Sequence, residues 1–159
     1  MIKICFVCHG NICRSPMAEF IFKKIVSINN CKNDYYIESR ATHTDEIFRG
    51  VGSHIYPPAQ RVMTRRKIPF DSEKMAELLK ESDYDCFDLF VCMDNENVRS
   101  MLRIFSNDKN YKIRKLSEFS DTGRDVSDPW YTGDFDTAFS DIYKGCEGLF
   151  EYTQSNKNT

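Results

Sequence analysis

The stretch VCHGNICRSPMAE, residues 7–19, places a thiol, a glycine, an asparagine, a second thiol, a guanidinium and a hydroxyl within one short turn. Cys8 is followed at a Cys-x5-Arg spacing by Arg14. Backbone N–H groups in a turn that feeds a helix form a concave anion site, reinforced by the helix dipole. Gly10 can adopt a positive φ, and Asn11 tolerates one. Arg14 adds a planar fork suited to two oxygens of a phosphate. A thiol in such positive surroundings favours the thiolate and becomes a nucleophile, and Ser15 can donate a hydrogen bond to it. A thiolate at the floor of an oxyanion cradle suits covalent phosphoryl transfer: the cradle holds three oxygens while sulfur attacks in line.

Spacing alone is weak support, because seven cysteines and ten arginines in 159 residues give roughly 0.4 chance Cys-x5-Arg pairs. Placement at a strand-to-helix turn, with Gly, Asn and Ser-Pro present, strengthens it. A metal site built on Cys5, Cys8, His9 and Cys13 is the competing reading of the C-x2-C spacing. Cys5 lies within the strand and no second ligand pair follows, so no metal and no cofactor is expected. Cys5 and Cys92 read as core residues, and His43 and His54 as loop residues.

These side chains need a scaffold. Ile2–Val7 reads as a buried strand and Ser15-Pro16 as an N-cap with proline at the first helical position. Met17, Phe20, Ile21, Ile25 and Ile28 continue that helix to about residues 27–29. Residues 35–42 suggest a second strand, 43–57 an irregular loop, and 59–66 and 73–82 two short helices, the second capped by Asp71 or Ser72. A buried strand at 87–93, a helix opened by Asp94 or Asn95, a strand at 111–116 and a final helix over 135–152 complete the chain. Strands alternating with helices imply an α/β fold with a parallel sheet covered on both faces, where ligands bind beyond the carboxyl ends of the strands.

Composition excludes several classes. The net charge of −2 comes from 22 basic and 24 acidic residues, interspersed, which gives no general attraction to nucleic acid or membrane. The basic cluster Arg61, Arg65, Arg66 and Lys67 reads as a solvated helix face. No apolar run approaches the ~18 residues that span a bilayer, and the first residues do not form a signal peptide. Seven cysteines, an odd number partly in apolar runs, fit reduced thiols and a cytoplasmic location. One domain over 1–159 is expected, since a chain of this length can bury a sufficient core.

VCHGNICRSPMAE resembles the phosphate-binding loop of the low-molecular-weight protein tyrosine phosphatases, and DPWY (128–131) resembles their acid-loop motif. FDLFVCMD (87–94), with Asn97 and Arg99, is similar to the strand and helix start before that loop. The resemblance covers essentially the whole chain. It implies a four-stranded parallel sheet flanked by helices on both faces (flavodoxin-like, phosphatase I). It also implies Cys8 as nucleophile, Arg14 as phosphate clamp, Asp128 as general acid and base, Asn11 as loop support and Ser15 as thiolate stabiliser. His9, Gly10, Ile12 and Cys13 complete the loop. Cys13 corresponds to the family's neighbouring cysteine, which traps an oxidised nucleophile as a reversible disulfide. Spacing alone does not choose Asp128 over Asp121, Asp125, Asp134 or Asp136; Pro129 does bias Asp128 to an extended conformation.

The implied partners are phosphotyrosine proteins and small aryl phosphates, with inorganic phosphate or other oxyanions as inhibitors, acting on a monomer. Ile12 stands where relatives acting on phosphoarginine carry threonine, which favours phosphotyrosine. Trp130 and Tyr131 would line an apolar wall beside a phenyl ring. The usual Trp-x-x-Gly element is missing from FRGVGSHIYPP, so Phe48 or Tyr56 would supply the remaining aromatic. Where many relatives carry a histidine behind the loop asparagine, Ser72 is the substitute on offer. A thioredoxin-coupled arsenate reductase is the enzymatic rival, but its relay would need a cysteine near Arg99, and Cys86 lies upstream of Cys92 instead. A phosphotyrosine-binding module with little turnover would need neither Cys8 nor Asp128.

Overall fold

The computed structural model describes residues 1–157. In chain order its elements are β1 (Ile2–Cys8), α1 (Arg14–Ile28), β2 (Tyr35–Ala41), β3 (Ile47–Phe48), β4 (Val51–Gly52) and α2 (Pro57–Arg65). They continue with β5 (Leu89–Cys92), α3 (Asn95–Phe105), β6 (Ile113–Lys115), α4 (Pro129–Thr132) and α5 (Phe135–Lys157). Four strands form one parallel sheet in the order β2-β1-β5-β6. The unbroken apolar run Ile4–Cys8 of β1 is explained by its central place. Ile4, Phe6 and Cys8 face one core cluster, with residues of α1, α2 and α5, while Cys5 and Val7 face another that includes Met101 and Phe105 of α3. Helices therefore cover both faces, as the alternation of strand and helix implied.

β1 and β5 both end at the edge of the sheet where their following helices begin. The turn after β1 delivers Cys8 to Ser15, and the turn after β5 delivers Asp94, the N-cap of α3, whose carboxylate accepts the Asn97 N–H at 2.9 Å. The final helix closes against α1. It approaches the turn at 116–119 through Gly148, where a Cβ would lie 1.7 Å from the Phe119 carbonyl oxygen, so no larger residue fits.

Several expectations from the sequence are corrected. The helix expected over 73–82 is absent: only a short 3-10 turn forms, at Glu81–Asp85, and residues 73–80 are irregular, although Ala76 and Leu79 are spaced as if helical. Their backbone pairs with neighbours instead: Glu77 accepts from the Ala41 N–H at 2.7 Å, and Ala41 accepts from the Leu79 N–H at 2.8 Å. Tertiary pairing overrides a weak local preference here. Asp71 caps only a turn, accepting from the Glu73 N–H at 2.9 Å. The loop at 43–57 contains the small antiparallel hairpin of β3 and β4. Helix α1 starts at Arg14 with Cys13 in the N-cap position, so Ser15 lies inside the first turn and caps nothing. Among the described residues no helix is long and apolar enough to cross a membrane.

Candidate active site

The turn after β1 is held from within. Asn11 adopts φ 59°, the left-handed conformation, while Gly10 does not have a positive φ, contrary to the expectation that glycine would supply it. Asn11 tolerates this geometry because its short side chain is rewarded with hydrogen bonds. Its Oδ1 accepts the Glu77 N–H at 3.1 Å, which fixes the amide's orientation, since a backbone N–H can only donate. Its Nδ2 then donates to Ser15 Oγ at 2.8 Å and Ser39 Oγ at 2.9 Å. Cys8 Sγ lies 3.0 Å from Ser15 Oγ and 3.4 Å from the Ser15 backbone nitrogen; a Cys8 thiolate can only accept, so with Cys8 in that form both the hydroxyl and the N–H donate to it. Two donors thus converge on the Cys8 sulfur, an arrangement suited to a charged nucleophile.

Arg14 is almost wholly buried and is gripped by three acceptors: Asp94 at 2.7 Å, the Val126 carbonyl at 2.9 Å and Asp128 at 3.5 Å. Burial works against its charge, but Cys8, Asp94 and Asp128 outweigh that and hold its pKa above the ordinary value. The guanidinium is oriented before any anion arrives. Asp128 is extended, with φ −77° and ψ 109°, and caps α4 by accepting the Trp130 N–H at 3.1 Å. Of the rival acids, Asp121 does not line the cleft, and the other three are occupied elsewhere. Asp125 pairs with Lys115, Asp134 caps α5 through Thr137, and Asp136 pairs with Arg65 and Arg66. Asp128 lines the cleft with Cys8.

That cleft, of about 330 Å³, is bounded by Cys8, His9, Gly10, Ile12, Cys13 and Arg14 at its base, and by Asp45, Glu46, Asp128, Trp130 and Tyr131. Trp130 and Tyr131 line it and are exposed. Phe48 is not part of the wall: it points to solvent at the hairpin tip, 76% exposed, beneath Arg49. Tyr56 acts one step back, with its ring 4.8 Å from that of Trp130 and 6.0 Å from that of Phe135. Cys13 is buried, and desolvation, with Cys8 and Asp128 nearby, pushes its thiol pKa well up. It therefore stays protonated beside Cys8.

Ser72 does not support Asn11. Ser39 and the Glu77 N–H do, and behind them stands Glu19, which accepts from Ser39 Oγ at 2.6 Å and pairs with Lys23 at 2.6 Å and Lys74 at 3.3 Å. A sequence signal for these residues existed. Ser39 occupies an inward position of a strand whose neighbours on that face are Ile37 and Ala41, and Glu19 interrupts the apolar run Met17–Phe22. Asp94, read only as a helix opener, is also a partner of Arg14. The acids Asp45 and Glu46, in a segment read as plain loop, carried no signal.

The rival chemistries find no such assembly. Cys5 and Cys8 face different core clusters, so the C-x2-C pair is split by the sheet. Among the described residues no group of three or more His, Cys, Asp or Glu side chains is placed to hold a metal ion. Cys92 is fully buried in the second cluster, its thiol pushed up by desolvation. Cys86 precedes β5 and so lies at the opposite sheet edge from Cys8, roughly 20 Å away along strands rising ~3.3 Å per residue. A thiol relay has no path between them.

The model of the family described as low molecular weight phosphotyrosine protein phosphatase matches residues 3–159. A low molecular weight protein-tyrosine-phosphatase, PtpA, of Staphylococcus saprophyticus is 37% identical over 99% of this chain and 97% of its own. The crystal structure of YfkJ from Bacillus subtilis superposes with a TM-score of 0.90 at 33% identity, covering 99% of this chain and 97% of that one. That of the low molecular weight protein tyrosine phosphatase SP-PTP from Streptococcus pyogenes has a TM-score of 0.83 at 36% identity, over 96% and 93% of the two chains.

Proposed function

The chain belongs to the low molecular weight phosphotyrosine protein phosphatase family, and from that premise we propose that Cys8, Arg14 and Asp128 carry its reaction. The family's chemistry is hydrolysis of phosphotyrosine through a cysteinyl-phosphate. In the first step the Cys8 sulfur attacks phosphorus, the bond from phosphorus to the phenolic oxygen breaks, and Asp128 gives its proton to the departing phenolate. Arg14 and the backbone N–H groups of the turn hold the equatorial oxygens, where charge spreads in the transition state. In the second step Asp128 takes a proton from water, whose oxygen attacks phosphorus. The S–P bond breaks, phosphate leaves, and the thiolate is restored.

The observation that carries this assignment is the shared position of the three groups in one cleft, with Arg14 reaching Asp128 at 3.5 Å and two donors on the Cys8 sulfur. Asn11 and Ser15 support the turn, His9, Gly10, Ile12 and Cys13 complete it, and Trp130 and Tyr131 flank the substrate ring. Partners on this reading are phosphotyrosine proteins and small aryl phosphates, and inorganic phosphate competes for the cradle. The protein works as a monomer, a single domain, in the cytoplasm.

Release of phosphate from a phosphotyrosine peptide, with and without chelator, tests the roles. Wild type is active in chelator, Cys8→Ser is inactive, and Asp128→Ala loses about 10²–10⁴ in rate, as expected for a missing general acid. A Cys8→Ser variant turning over at the wild-type rate would remove Cys8 from the mechanism.

A further inference from the structure

The cleft carries charge beyond its phosphate cradle, and that charge has one sign. Arg14 is the only lysine or arginine among the described residues lining it, and Arg14 is 3% exposed and committed to Asp94, Val126 and Asp128. The carboxylates lining it are Asp128, Asp45 and Glu46. The last two stand before the β3–β4 hairpin and have no part in the proposed chemistry.

Neither is a loose surface acid. One oxygen of Asp45 is held by His9 Nε2. The His9 ring is stacked on that of His43 with centroids 4.1 Å apart and planes 9° from parallel. His43 Nδ1 in turn lies 2.8 Å from Thr42 Oγ1. Asp45 is therefore oriented at the edge of the cleft while its side chain stays 64% exposed. Glu46 lies over the turn itself. A Cβ on Gly10 would come within 3.2 Å of Glu46 Cγ, so the glycine leaves room for this side chain. The Glu46 carbonyl accepts the Ser53 N–H at 2.7 Å, which ties its backbone to the hairpin.

A phosphotyrosine side chain that reaches Cys8 brings the residues flanking it past this rim. We propose that Asp45 and Glu46 select phosphotyrosine sites flanked by lysine or arginine and disfavour those flanked by aspartate or glutamate. The proposal rests on the phosphotyrosine phosphatase reading and names the substrate class within it. Oriented carboxylates attract a cationic flank without first having to be ordered. Rim carboxylates of one sign act on the approaching flank, so the effect falls on encounter and kcat/KM more than on kcat.

The test compares two phosphotyrosine peptides of equal length, one with lysines beside the phosphotyrosine and one with glutamates, together with a small aryl phosphate that has no flank. The expected preference for the basic peptide is about three- to tenfold in kcat/KM, the range that two partly exposed ion pairs supply. It shrinks toward parity between about 50 mM and about 0.5 M salt as screening shortens to a few ångströms. The doubly neutralised variant, Asp45→Asn with Glu46→Gln, narrows the ratio of the two peptides, and Asp45→Lys reverses its direction. Equal kcat/KM for both peptides in wild type, or a preference unchanged in the doubly neutralised variant, overturns the proposal. Should a variant fail to fold, the wild-type ratio and its salt dependence decide the matter. Failure to hydrolyse the aryl phosphate as well would instead overturn the phosphatase reading itself.

Discussion

Asn11 does two separable jobs with one side chain. It holds a backbone conformation at φ 59°, and it makes three hydrogen bonds to groups buried beneath the turn. Removing the side chain strands the Glu77 N–H and takes a donor from Ser15 and Ser39, at a cost of about 1–3 kcal/mol for each buried group left unpaired. Alanine adds about 1–2 kcal/mol for a left-handed conformation. Glycine avoids that, but loosens the unfolded chain by about 0.4–1 kcal/mol. The hydrogen-bond contribution is the larger. We therefore expect Asn11→Ala and Asn11→Gly both to lose about 3 kcal/mol or more in urea unfolding, within about 1 kcal/mol of each other. Phosphatase activity falls in both. A glycine variant with near wild-type stability and turnover would mean that φ alone matters.

At the scale of elements, the same turn is braced from α1. Glu19, one turn beyond Ser15, is 4% exposed and links Ser39 to Lys23 and Lys74. The two lysines are unequal, because the Lys23 side chain is 43% exposed and that of Lys74 only 12%. A half-exposed pair contributes about 0–1 kcal/mol, whereas breaking a buried pair costs about 3–5 kcal/mol by leaving a charge uncompensated. Loss of stability should then rank Glu19→Ala above Lys74→Ala, and Lys74→Ala well above Lys23→Ala, with kcat falling in the same order as Ser39 and Asn11 lose their support. Thermal unfolding and turnover of an aryl phosphate check this; equal effects of the two lysine variants would refute it. Lys74 is also where sequence reading reached its limit. The strands were legible because an apolar run such as Ile4–Val7 has no other home, and the Cys8 turn because strand, glycine, asparagine and helix start coincide. The segment at 73–82 has helical spacing at Ala76 and Leu79, yet its backbone bonds go to Ala41 and Ser53, partners distant in sequence. No local pattern encodes those pairings. Asp45, Glu46 and Phe48 were equally illegible as wall or non-wall, since a hairpin of two-residue strands leaves no periodicity to read.

Across the whole molecule, cysteine is used mainly as a small apolar residue. Cys5, Cys92 and Cys146 are fully buried and Cys13 nearly so, and desolvation pushes all four thiols well above their ordinary range. In the unfolded chain the same thiols ionise near ~8.5. A group with a raised folded pKa binds its proton more tightly in the native state. Its contribution is complete below the unfolded pKa and is lost as pH rises beyond it. Tyr36, pushed up to about 12 by its hydrogen bond to Glu38, acts with the same sign, but only above the tyrosine range. The window from about pH 8.5 to 10 therefore belongs to the thiols. One unit above 8.5, each buried thiol lowers stability by about 1 kcal/mol, so the four together remove several kcal/mol. That is comparable with the total stability of an ordinary domain, about 5–15 kcal/mol. Under reducing conditions we expect stability from urea unfolding to be level up to about pH 8 and to fall steeply by about pH 10. In Cys146→Ala the slope becomes shallower by about one thiol's share, whatever the cavity does to stability at neutral pH. A profile flat to about pH 10 would mean that these thiols gain access to water before the chain unfolds.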